Sequence, residues 1–107
     1  MFFDWFNRNN ENSKKYKLKK AMSYNNKKID YVTERLESGE VVLGKDGYVS
    51  VKNGLFIVCC QGSVLFEARA DEISCGELLS RNGVIINGVD VQTGNERSIV
   101  IHFVYYR

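Results

Sequence analysis

Proline is absent from this 107-residue chain, which also holds just one histidine, one tryptophan and three cysteines. The first absence leaves no proline-rich linker, and most of the nine glycines fall at turn signals, with no periodic or low-complexity stretch among them. Cys59, Cys60 and Cys75 form an odd set without CxxC spacing, which argues against both a disulfide framework and a zinc site and points to a reduced, cytoplasmic protein. His102, set in an apolar strand with no second ligand at metal spacing, cannot hold a metal alone. No apolar run approaches the roughly twenty residues of a membrane-spanning helix. Met1-Phe2-Phe3-Asp4-Trp5-Phe6 is followed by lysines rather than preceded by them, the wrong order for a secretory signal. Gly44-Lys45-Asp46-Gly47 is too short for a phosphate-binding loop and has no helix after it.

The residues that are present describe one globular domain with a basic arm. An apolar fraction of 44% over 107 residues suffices for a single core. The net charge of +2 is unevenly shared. Residues 1–27 carry seven Lys and Arg against two carboxylates, net +5, and residues 28–107 carry eight against eleven, net −3. The sequence thus divides into an aromatic-tipped, lysine-rich arm over 1–27, partly helical or flexible, and a mildly acidic domain over 28–107. Ser13 is placed to cap a helix running to Met22, which Tyr24-Asn25-Asn26 interrupts. Ile29, Val32 and Leu36, spaced by three and four with Gly39 beyond them, predict a second helix over 27–38 that packs on the strands after it.

From Glu40 the period shortens to two. Turn signals recur at Asp46-Gly47, Asn53-Gly54, Gln61-Gly62-Ser63, Asn82-Gly83 and Thr93-Gly94-Asn95, because Gly and Asn tolerate the positive φ that tight hairpins require. Between them Val49 and Val51 face inward, Leu55–Cys60 is apolar on both faces and so calls for a cover such as the preceding helix, and Val64, Phe66 and Ala68 face inward. Ile73–Leu79, Gly83–Val91 and Ser98–Tyr106 supply the remaining strands. A meander of six or seven antiparallel strands hides its edges most simply as a small β-barrel or as two packed sheets. The expected class is therefore mainly β with an N-terminal helical arm.

Several of these segments together resemble a known family. Gly39-Glu40, the strand-turn-strand run Tyr48–Val58, Val64-Leu65-Phe66-Glu67-Ala68, Asp71-Glu72-Ile73 and the closing hairpin from Val84-Ile85-Ile86-Asn87-Gly88 to Ile99–Phe103 are similar to bacterial pleckstrin-homology-like and GRAM-type domains over residues 37–104. That resemblance implies a small barrel of two nearly orthogonal antiparallel sheets. The sequence departs from it by ending in a strand where such domains carry a helix, and by offering only Lys45 and Lys52 where the eukaryotic relatives hold phosphoinositides. No lipid site is carried over.

No catalytic constellation is evident. The cysteines are expected to be buried small hydrophobes, and Glu67, Asp71, Glu72, Glu77, Asp90 and Glu96 solvent-facing carboxylates. No cofactor and no small-molecule substrate are expected. The sequence instead suggests a non-enzymatic binding or assembly module acting through a protein partner or a second copy. Its candidate contacts are Phe2, Phe3, Trp5, Phe6, Lys14, Lys15, Lys17, Lys19 and Lys20. Tyr105 and Tyr106 on a final edge strand are a second candidate interface. The alternative is a peripheral module whose aromatics and lysines anchor it to an anionic membrane at its inner face. Nucleic acid is disfavoured, since only Tyr16 and Tyr24 interleave with the lysines.

Overall fold

A computed structural model describes residues 14–79 and 82–104. They form one helix, α1 (Lys14–Met22), and seven strands: β1 (Lys28–Leu36), β2 (Gly39–Lys52), β3 (Leu55–Cys60), β4 (Ser63–Arg69), β5 (Ser74–Glu77), β6 (Gly83–Val89) and β7 (Glu96–Phe103). All pairings are antiparallel in one sheet of order β4-β3-β2-β1-β7-β6-β5. The mainly-β expectation holds, with seven strands. The barrel does not, because β4 and β5 remain separate edges of an open sheet.

The sheet coils far enough to enclose a core on its inner face. Phe56, Phe66, Ile29, Ile86, Ile99, Ile101, Val49, Val58 and Val84 are all essentially inaccessible there. Two contacts tie the edge strand β4 to the far side: the Val91 amide donates to the Glu67 carbonyl at 2.8 Å, and Arg97 reaches the Leu65 carbonyl. The arm docks through its asparagines. The Asn26 amide donates to the Val49 carbonyl at 2.8 Å, and the Asn25 side-chain oxygen accepts from the Val51 amide at 2.7 Å.

Residues 27–38 are not helical; Lys28–Leu36 is strand β1, the central partner of both β2 and β7. Its pairing with β7 shifts between Ile29 and Tyr31, opposite Phe103 and His102, so Asp30 is an extra residue. That bulge moves the next inward position from 31 to 32 and turns a two-residue period into the three-residue spacing of a helix. The β-branched Ile29, Val32 and Thr33 favour the extended form. A second bulge corrects the reading of β4. Val58 pairs with Phe66 but Cys59 with Val64, which leaves Leu65 extra and turns Val64 outward, 40% exposed.

The turns divide by chemistry. Asn53-Gly54 and Gln61-Gly62 are two-residue hairpin turns with positive φ at both positions, and Gly94 at φ +77° serves the β6–β7 connection. Asp46-Gly47 is no turn: β2 runs straight through it, and Asp46 at φ 56° marks a mid-strand irregularity. Asn82-Gly83 opens β6 at the end of a longer connection. With residues 27–38 in the sheet, no helix covers β3 among the described residues, and α1 packs at β5 instead, where Lys20 bonds Glu77 and Ala21 is buried.

Candidate functional site

Two features stand out, and they share residues. The first is a charge cluster on the inner face. Arg97 precedes Ile99 and Ile101 in the inward column of β7, so its guanidinium points into the enclosed side. It donates from Nε and Nη2 to both carboxylate oxygens of Glu34 at 2.9 and 2.8 Å. Its Nη1 donates to Asp90 at 2.6 Å and to the Leu65 carbonyl at 3.0 Å. The carbonyl of a bulged residue is left out of the strand ladder, which is why Leu65 offers its oxygen here. Asp90 is fully buried and accepts a further bond from the Gln92 amide at 2.9 Å. The sequence reading of Asp90 as a solvated turn carboxylate is overturned by this burial and by the network around it. The arrangement is a fork–carboxylate pair, the strongest form of charged hydrogen bond. With its donors and acceptors occupied by one another, the cluster acts as a clamp joining β1, β4, β7 and the loop after β6.

The hydrogen bonds from Arg97 hold the Glu34 carboxyl below its usual value of 4.5, and the same bonds raise Arg97. A carboxylate with a depressed folded-state pKa stabilises the fold fully above its ordinary value, and that contribution is lost as pH falls through the lower folded value. Urea denaturation should therefore show wild-type stability dropping below about pH 4.5. Glu34→Gln should begin less stable and lose less over the same acid range. Equal acid slopes for the two proteins would contradict the clamp.

The second feature is what the clamp supports. β1 pairs with β7 only as far as Glu34, and β2 pairs with β3 only from Gly47 onward. The two strands nevertheless continue together to Leu36 opposite Gly39, closed by Glu37-Ser38. Residues 35–40 thus form a short two-stranded tip beyond the part of β1 paired with β7, and from there to Lys45 β2 stays paired with β1 but has no neighbour on its other side; this tip and open edge together are called the ribbon. Its base is fixed by Glu34 in the clamp and by Thr33, whose hydroxyl donates to Glu40 at 2.8 Å. Apolar side chains stand in solvent along it: Leu36 at the tip is 47% exposed, and Val41 and Val42 on the open edge are 44% and 61% exposed. Among the described residues no ladder pairs the outer edge of Gly39–Lys45. By contrast, the β4 edge has its Leu65 and Glu67 carbonyls occupied, and the β5 edge is only four residues long and packed by α1. Short or occupied edges are how sheets suppress unwanted pairing, and the ribbon alone of these edges is left open.

The candidates read from sequence fall elsewhere. Phe2, Phe3, Trp5, Phe6, Tyr105 and Tyr106 lie outside the described residues. The strand before Tyr105 is not an edge, because β7 sits between β1 and β6. Of the arm lysines, Lys14 faces Glu72 at 3.9 Å and Lys20 faces Glu77 at 3.2 Å, so both are directed to the protein's own carboxylates. Lys17 lines a groove of about 260 Å³ with Arg69, Glu72, Ser74, Asn87 and Glu96. Lys15 and Lys19 are exposed on the same short helix. Glu72 and Asp71 also pair with Arg69.

Cys60 is buried and Cys59 half-buried on the opposite face, and burial raises both thiols. Cys75 is pushed up to about 11 by burial. None has the lowered pKa of a nucleophile. His102 stacks on Tyr31, ring centroids 4.1 Å apart at 11°. Among the described residues no three His, Cys, Asp or Glu are grouped to hold a metal, and no helix is long and apolar enough to cross a membrane. Comparison with family models, with curated proteins and with solved structures returns no match, so the site rests on its own geometry.

The sequence carried one signal for each missed feature. For the clamp it was a charged residue, Arg97, in phase with inward Ile99, Ile101 and Phe103. For the ribbon it was Glu37-Ser38-Gly39, a turn tripeptide that also suits a helix end.

Proposed function

We propose that this protein is a non-enzymatic binding module that works by protein–protein contact, with a partner or with another copy, through the β1–β2 ribbon. The observation that carries the reading is the open backbone edge of Gly39–Lys45 beside the exposed Leu36, Val41 and Val42. An extended segment can add to such an edge, with main-chain hydrogen bonds giving affinity and alternate side chains giving selectivity. The clamp supports the same reading, since a ribbon fixed at its base loses less freedom on binding than a floppy one. The likeness of residues 37–104 to pleckstrin-homology-like and GRAM-type domains belongs to this proposal as well.

The test is a photo-crosslinking amino acid placed at Val42 and, as control, at exposed Lys52 at the far end of β2. In its native host the Val42 probe should give a discrete covalent adduct with a protein, and the Lys52 probe none. An adduct of twice the protein's own mass identifies self-association, and any other mass a separate partner. Equal or absent adducts at both positions would sink the proposal.

A further inference from the structure

A second region carries an independent inference, the gap between the two edge strands β4 and β5, which no ladder joins. α1 lies along that gap. Its sequence, Lys14 to Met22, has five lysines and no acidic residue, and only the methyl of Ala21 is fully buried, with Leu18 partly so. A helix of nine residues is marginal in water without packing, so what holds α1 decides whether it forms. Two ion pairs fasten it to different elements: Lys14 to Glu72, beyond the end of β4, and Lys20 to Glu77, in β5. Lys17 between them lines the groove bounded by Ala68 and Arg69 of β4 and Ser74 of β5. The segment that follows the helix is anchored separately, by Tyr24 stacked on Phe103 at 5.9 Å and by the asparagine bonds to β2.

We infer that α1 is an electrostatically latched strap, which closes the gap between β4 and β5 and lifts from an anchored hinge at Ser23–Asn26 when its two ion pairs are screened. Exposed ion pairs are weak and salt-sensitive, and a helix that packs only Ala21 and, in part, Leu18 against the core has a small apolar attachment. Lifting α1 bares the free side of β5, otherwise the short edge of the sheet, and the half-buried Cys75 within it. The strap therefore separates a closed form, with one open edge at the ribbon, from an opened form with two. Such low-stability units are the ones that open without global unfolding.

Cys75 supplies the readout. The full-length protein is labelled with methyl methanethiosulfonate, and each thiol is followed by mass spectrometry at about 0.01 M and about 1 M sodium chloride. Cys75 should label about fivefold faster at high salt while buried Cys60 stays unchanged, as expected when pairs worth up to about 1 kcal/mol are screened. Screening Lys20 alone would act the other way, because its charge favours the Cys75 thiolate, so acceleration reports opening and not ionisation. Lys14→Gln with Lys20→Gln should label fast at low salt and lose the salt dependence. A salt-independent Cys75 rate, or one that rises in step with Cys60, overturns the strap. Neither result bears on the ribbon.

Discussion

Arg97→Met should destabilise the protein by about 3–5 kcal/mol in urea denaturation. The reason is what remains behind. Asp90 is completely inaccessible, and in the variant its carboxylate would keep only the Gln92 amide as a partner. The Glu34 carboxylate would be left on the same inner face without the fork that neutralises both. Removing one partner of a buried pair costs far more than the pair contributes, because the survivor's desolvation is uncompensated. Since whole domains are stable by roughly 5–15 kcal/mol, the variant should lie close to the limit of folding. Arg97→Lys should recover part of the loss, as a point charge cannot serve Glu34, Asp90 and the Leu65 carbonyl together. Combining Arg97→Met with Glu34→Gln and Asp90→Asn should also recover part of it, since no buried charge is then orphaned. A loss under about 1 kcal/mol for Arg97→Met would mean that the cluster is solvated and is not a clamp.

The clamp also explains why parts of this fold were open to inspection in the sequence and others were not. Turns specified by one dipeptide were legible: Asn53-Gly54 and Gln61-Gly62 meet the φ requirement within two residues, and their flanking strands follow. Features set by pairing between distant segments were not. The bulge at Asp30 is defined by the register of β1 against β7, some seventy residues away, yet it sets the local spacing of Ile29 and Val32 and so imitates a helix. Asp46-Gly47 has the composition of a hairpin turn, but Gly47 pairs with Ile29 of β1 on one side and Cys60 of β3 on the other, so the chain continues as β2 although Asp46 is itself left-handed. Asp90 and Glu34 have no sequence mark of their pairing; Asp90 is buried and Glu34 half-buried where the coiled sheet delivers Arg97 to them. The ribbon follows from mismatched strand lengths, fourteen residues in β2 against six in β3, a quantity visible only when both ends of each ladder are known.

Gly47→Ala should cost about 3 kcal/mol or more, against about 1–2 kcal/mol for Gly54→Ala, and the contrast isolates two different needs for glycine. Gly54 has φ +77° and open space where an added methyl would sit, so its cost is the handedness of the turn alone. Gly47 has no such conformation. A methyl there would overlap the Cys59 carbonyl oxygen and lie 2.7 Å from the Cys60 sulfur. The first neighbour is backbone in the adjacent strand and cannot rotate away, so β2 and β3 would have to part. They would part at Gly47↔Cys60, the last rung before β2 loses its β3 neighbour and becomes the open edge of the ribbon. The damage should therefore appear twice, as a lowered urea midpoint and as faster hydrogen exchange across residues 44–47 and 58–60, while Gly54→Ala disturbs only its own turn. Gly54→Asn should be nearly neutral, because asparagine tolerates positive φ, whereas Gly47→Asn should be as damaging as alanine. If Gly54→Ala proved the costlier of the two, close approach of the strands would not be what demands glycine at the root of the ribbon.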